Sequence, residues 1–135
     1  MERQKKVIDA SVVFKWFDEE KDSDKALRIK ENLLKGDLIL IVPDLIILEV
    51  LNALRYKKKN EKELNKASQY LFDVGFKIEL LNMDIISKAI ENSVRYSITI
   101  YDALYVALAQ IYGAVLITAD EKLYKIPNVI ALEKI

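Results

Sequence analysis

Short, unbroken apolar runs alternate along this chain with longer stretches whose apolar residues recur three and four apart, and this alternation restricts the possible folds most. The runs at residues 6–8, 38–42, 77–80, 114–118 and 129–132 read as strands, and Leu38-Ile39-Leu40-Ile41-Val42 has no polar face at all. A strand of that kind is buried on both sides, as in a parallel sheet covered by helices. The spacing predicts helices over residues 12–17, 24–35, 44–59, 61–73, 84–96 and 101–112, the third preceded by Pro43, whose missing N–H costs little at a first helical turn. Strands separated by helices imply right-handed crossovers and a parallel α/β sheet. Ligands of such sheets sit beyond the carboxyl ends of the strands, at a topological switch point. The 135 residues, 52% of them hydrophobic, supply one core, so residues 1–135 are expected to form a single domain.

Composition narrows the chemistry. There is no Cys and no His, which removes disulfides, thiolate zinc sites, Cys nucleophiles and the commonest general base. Any chemistry falls to oxygen and to Lys. Lys and Arg number 21 against 21 Asp and Glu, so no global charge draws the chain to a polyanion, and a nucleic acid would need a local patch or a bound cation. Residues 1–6 are charged where a signal peptide would be apolar. The longest apolar stretch, residues 103–117, is broken by Gln110 and Gly113 and falls short of the roughly 20 residues that span a bilayer. The expectation is a cytoplasmic protein without membrane contact.

Four acids stand in apolar surroundings: Asp9, Glu49, Asp102 and Asp120. Asp9 closes the first strand and Asp120 follows the fourth, so a parallel sheet brings both to its ligand-binding edge. Glu49 interrupts Leu45-Ile46-Ile47-Leu48 and Val50-Leu51, a helix apolar nearly all round, with Asn52 three residues on along the same face. Asp102 opens a helix whose Ala103, Ala107 and Ala109 permit close packing. Helix capping is an alternative for Asp9 or Ser11, for Asp120, and for Thr99 to Asp102 as a capping box. For Glu49 the alternative is a buried ion pair with Lys or Arg. Capping and ligation are compatible, since a capping carboxylate keeps a free oxygen.

Two carboxylates about 4 Å apart repel by roughly 4 kcal/mol at an effective dielectric near 20, so a cluster of four requires a cation. Oxygen-only ligation selects hard ions such as Mg²⁺ or Mn²⁺. Such a site suits phosphodiester hydrolysis, in which the ion supplies hydroxide and stabilises the transition state.

The segments Val7-Ile8-Asp9-Ala10-Ser11, Pro43 through Glu49-Val50-Leu51-Asn52-Ala53-Leu54, Tyr101-Asp102-Ala103-Leu104-Tyr105-Val106-Ala107-Leu108-Ala109 and Gly113-Ala114-Val115-Leu116-Ile117-Thr118-Ala119-Asp120 resemble, in order, the motifs of PIN-domain ribonucleases. The resemblance implies a three-layer fold with a central parallel sheet of about five strands flanked by helices. Small chains of this kind resemble VapC-type toxins of toxin–antitoxin pairs. By that resemblance Asp9, Glu49, Asp102 and Asp120 are the catalytic, metal-holding acids of an Mg²⁺- or Mn²⁺-dependent endoribonuclease, with Ser11 and Thr118 supporting them; Asn52, on the face of Glu49, is expected to support the site as well. The resemblance further implies transfer or ribosomal RNA as target, a homodimer, and a VapB-type antitoxin that blocks the site. Glu121 adds an acid beside Asp120 to which the motifs give no role.

No basic residue is interleaved with these motifs, so RNA docking must come from elsewhere. Arg55, Lys57, Lys58, Lys59 and Lys62 follow the Glu49 helix and can either contact phosphates or remain solvated at a helix C-terminus. Lys15, four residues after Ser11, either faces the site or forms a Ser–Lys pair with it. Phe14, Trp16 and Phe17 are candidates for base stacking or for core, and Tyr101, Tyr105 and Tyr112 for core or a dimer interface. Two other classes compete with a nuclease. A catalytically inactive PIN-like RNA- or antitoxin-binding module would keep the fold, but all four acids are present. A haloacid-dehalogenase-type phosphatase would need a second Asp where Ser11 stands. No Gly-rich phosphate-binding loop exists.

Overall fold

β1 (Gln4–Ile8) and β4 (Val115–Thr118) lie side by side at the centre of a sheet in the order β3-β2-β1-β4-β5, every neighbouring pair parallel. The outer strands are β2 (Leu38–Pro43), β3 (Lys77–Glu79) and β5 (Val129–Ala131). The computed structural model describes residues 3–135, so the start of the charged segment at residues 1–6 lies outside the described residues. Val7 and Ile8 in β1, Leu40 and Ile41 in β2 and Leu116 and Ile117 in β4 are all fully buried, the double-sided burial that unbroken apolar runs predict. From β1 the chain passes through α1 (Ala10–Val13), a 3-10 turn (Phe14–Trp16) and α2 (Ser23–Leu34) to β2, and then through α3 (Leu45–Tyr56) and α4 (Glu61–Asp73) to β3. It returns through α5 (Met83–Tyr96) and α6 (Ile100–Tyr112) to β4, on the other side of β1. The strand order therefore reverses between β1 and β4, where a ligand crevice opens at the carboxyl ends.

α6 is buried from Ala103 to Ala109 and packs across β1, β2 and β4, with α5 along its outer side. Small residues on this helix let it sit close to the sheet, and Asp102 at its first turn therefore lies near the strand ends. Thr99 caps α6 by accepting the N–H of Asp102 at 3.0 Å. Gly113, at φ +61°, ends it in the left-handed conformation that a β-carbon would strain. Between α5 and α6, the buried Asn92 donates to Gln110 Oε1 (2.8 Å) and Gln110 donates back to Asn92 Oδ1 (3.0 Å).

Several boundaries differ from expectation. Pro43 ends β2 instead of opening a helix, paired with Glu79 of β3; β1 stops pairing at Ile41, so no N–H is missed on that side. The third helix ends at Tyr56, not residue 59, because Lys58 turns left-handed (φ 65°) and Asn60 starts α4 with a reciprocal capping box to Glu63. Nor is α3 apolar and buried all round. Ile46, Ile47, Val50 and Leu54 are buried, whereas Leu48 is 66% exposed. The segment at 12–17 starts two residues early, at Ala10, and tightens into a 3-10 turn. No helix among the described residues is long and apolar enough to cross a membrane.

Candidate active site

Asp9, one residue beyond β1, is 5% exposed and joins two strand ends. Its Oδ1 caps α1 by accepting the N–H of Ser11 at 3.1 Å, and the same oxygen accepts the Ser11 hydroxyl at 2.5 Å. Its Oδ2 accepts the hydroxyl of Thr118, the last residue of β4, at 2.5 Å. Both hydroxyls have thus given their one hydrogen to Asp9. As acceptors they bind the next loop: Ala119 N–H donates to Ser11 Oγ and Asp120 N–H to Thr118 Oγ1, each at 3.0 Å. Capping and gathering coexist here, and each carboxylate oxygen of Asp9 keeps lone-pair capacity. The hydrogen bonds favour the charged form, yet burial outweighs them and, with the nearby Asp102 charge, pushes the Asp9 carboxyl up from 3.8 to about 6.

The other acids surround this centre. Glu49, in the middle of α3, has no ion-pair partner among the described residues; its Oε1 instead accepts the hydroxyl of Tyr105 at 2.5 Å. Burial raises the Glu49 carboxyl, and the charges of Asp102 and Asp9 raise it further. The half-buried Asp102 is raised by burial and then by Asp120, against which Lys122 acts. Asp120 caps the 3-10 turn Glu121–Leu123 through Lys122 N–H (3.1 Å) and also faces the Lys122 ammonium at 3.8 Å. Asp9, Glu49 and Asp102 therefore lie close enough for their charges to act on one another, and Asp120 acts on Asp102. They do not form a ready-made cage: no group of three carboxylates among the described residues stands in metal-ligating geometry. The donor set nevertheless fits a hard divalent ion. All its ligating atoms are oxygen, Asp9 and Glu49 have no cationic partner among the described residues, and an ion that keeps several waters needs few direct carboxylate bonds.

Ser11 and Thr118, the two residues expected to support the acids, both donate to Asp9. Asn52 is exposed on the lip of a hollow shared with Leu45, Leu48, Glu49 and Tyr101, and takes no part in the network around Asp9. Lys15 lines a second hollow with Ser11, Glu49 and Ala119, but its ammonium pairs with Glu20 at 3.2 Å, so no Ser–Lys pair forms. Arg55, Lys57 and Lys58 are exposed beyond Glu49, while Lys59 faces Asp18 at 3.9 Å beside another hollow. The aromatics near α1 are packing residues. Trp16 stacks on Phe76 and donates to the Ala26 carbonyl, Phe17 meets Tyr70 edge-on, and Phe14 is buried. Glu121 is exposed. Sequence reasoning missed the link from Tyr105 to Glu49, although Tyr105 lies three residues after Asp102 and so on its side of α6.

Fold and site together define a parallel α/β protein that gathers carboxylates at its strand-order reversal. The family model described as PIN domain matches residues 6–129, and the chain belongs to that family. No curated protein matches. Among solved structures, a toxin–antitoxin complex from Klebsiella pneumoniae is 17% identical with a TM-score of 0.71, the match covering 94% of this chain and 97% of that one. A protein of Pyrobaculum aerophilum is 26% identical, TM-score 0.64, with 99% and 94% covered. A sarcin-ricin-loop-cleaving VapC toxin of Mycobacterium tuberculosis is 15% identical, TM-score 0.71, with 91% and 95% covered.

Proposed function

We propose that this chain is a metal-dependent endoribonuclease, the toxin of a VapBC-type pair, in which residues 1–135 act as one domain. The observation that carries this is the buried Asp9 carboxylate at the reversal between β1 and β4, flanked by Glu49 and Asp102, none of the three in an ion pair among the described residues. Membership of the PIN domain family and the toxins among its structural neighbours support the same reading. Asp9, Glu49, Asp102 and Asp120 would hold Mg²⁺ or Mn²⁺, Asp9 being the buried member of the set. When bound, such an ion lowers the pKa of a water and offsets charge developing on the scissile phosphate. Ser11 and Thr118 keep the Asp9 carboxylate ionised and oriented by donating to both its oxygens. Lys15, drawn from Glu20, Lys59, drawn from Asp18, and the exposed Arg55, Lys57 and Lys58 supply cations for the RNA backbone, which fix position without reading sequence. Asn52 borders the entrance. Transfer or ribosomal RNA is the proposed substrate, in the cytoplasm, with the chain as a homodimer held in check by a VapB-type antitoxin.

The test is incubation of the purified chain with total RNA in Mn²⁺ or in chelator, followed by mapping of new 5′ ends. Discrete Mn²⁺-dependent cleavage that disappears in Asp102→Asn is expected. Cleavage of equal strength in chelator, or in Asp102→Asn, would refute the assignment.

A further inference from the structure

Resting on that reading, we propose that Tyr105 is a positioning residue, whose hydroxyl holds the Glu49 carboxylate in the orientation that receives the metal ion. Glu49 reaches the site from the middle of α3, on a flexible side chain with no cation to anchor it among the described residues. Its one side-chain partner there is the Tyr105 hydroxyl, at 2.5 Å. Tyr105 is 1% exposed, and its ring is clamped within the buried stretch of α6, so the phenol is a rigid donor. That donor occupies Oε1 and leaves Oε2 free. Because Asp102 stands three residues earlier on the same helix, α6 sets the positions of one acid directly and of another through the phenol. A phenol is protonated at neutral pH and a carboxylate can only accept, so the hydroxyl donates to Glu49. A ligand carboxylate whose orienting partner is removed must be ordered at the moment of binding, and loss of such a partner commonly weakens metal affinity by 10–100-fold.

The experiment measures Mn²⁺ binding to the intact chain by calorimetry and by loss of the free-ion paramagnetic resonance signal, for the parent, Tyr105→Phe, Glu49→Gln and the double variant. Tyr105→Phe keeps the ring and is expected to bind Mn²⁺ about 10–100-fold more weakly. Its RNA cleavage should recover when Mn²⁺ is raised, which general structural damage would not permit. In the Glu49→Gln background the same change should cost nothing further, because the two residues act as a unit. 3-Fluorotyrosine at position 105, which keeps both ring and hydroxyl, should bind like the parent. Parent-like affinity in Tyr105→Phe would overturn the positioning role and leave the nuclease reading intact. Loss of fold in Tyr105→Phe, read by circular dichroism, would show the hydroxyl to be structural and overturn it equally. A parent chain that binds no Mn²⁺ would overturn both.

Discussion

Replacing Asp9 with Asn removes a charge that the metal-free protein holds at a cost. The Asp9 carboxyl is raised from 3.8 to about 6 in the folded chain, chiefly by burial. A native-state pKa above the unfolded one means that the folded chain binds the proton more tightly. The protein is therefore at its most stable with respect to this group below pH 3.8, and loses stability as pH rises through about 6. At 1.36 kcal/mol per unit, the penalty above that range is about 3 kcal/mol. Asn fills the same space, accepts one hydroxyl through its oxygen and can donate to the other, so most of the network with Ser11 and Thr118 survives. In chelator at pH 8, Asp9→Asn should be more stable than the parent by up to about 3 kcal/mol, a rise of roughly 10 °C in melting temperature for a chain of this size. At pH 4 the difference should shrink towards zero. Paired calorimetric melts at the two pH values check both statements. A lower melting temperature at pH 8, or an equal difference at both pH values, would refute the reasoning and leave Asp9 as a structural cap. With Mn²⁺ present the order should reverse, because only the parent gains ion-binding energy.

Two further outcomes concern the packing around the site. Thr118→Val keeps the shape of a fully buried residue but removes the hydroxyl given to Asp9; it should cost about 2–3 kcal/mol at pH 7 in urea unfolding and shift the Asp9 transition above about 6. An unchanged urea midpoint would contradict the bridge between β1 and β4. Gln110→Leu strips the buried Asn92 of its reciprocal partner and should cost about 1–3 kcal/mol, most of which is regained when Asn92→Leu is added. Strict additivity of the two changes would argue against their coupling.

What local pattern controls was open to reading from the chain. Period and run length located five strands and most helices, because a strand buried on both faces must be apolar throughout and an amphipathic helix must repeat near 3.6 residues. The same logic picked out Asp9, Glu49, Asp102 and Asp120, since a carboxylate in an apolar run is costly unless used. The boundaries that moved depend on partners distant in sequence. Pro43 belongs to β2 because Glu79 pairs with it, and α3 stops early because Asn60 offers a better cap than continued helix through Lys58.

Composition and order alone determined that any chemistry falls to oxygen and to Lys, that the sheet is parallel, and which acids fall near its carboxyl edge. Only the tertiary structure decided what each acid touches. Asp9 shares its two oxygens between Ser11 and Thr118, residues separated from each other by nearly the whole chain, and Glu49 is held by a phenol on another helix where a buried Lys or Arg was the alternative. Lys15 turns to Glu20 instead of Ser11. Hydrogen bonds and charge interactions act over a few ångströms of space, whatever the separation along the chain, and such proximity exists only after strands and helices have packed.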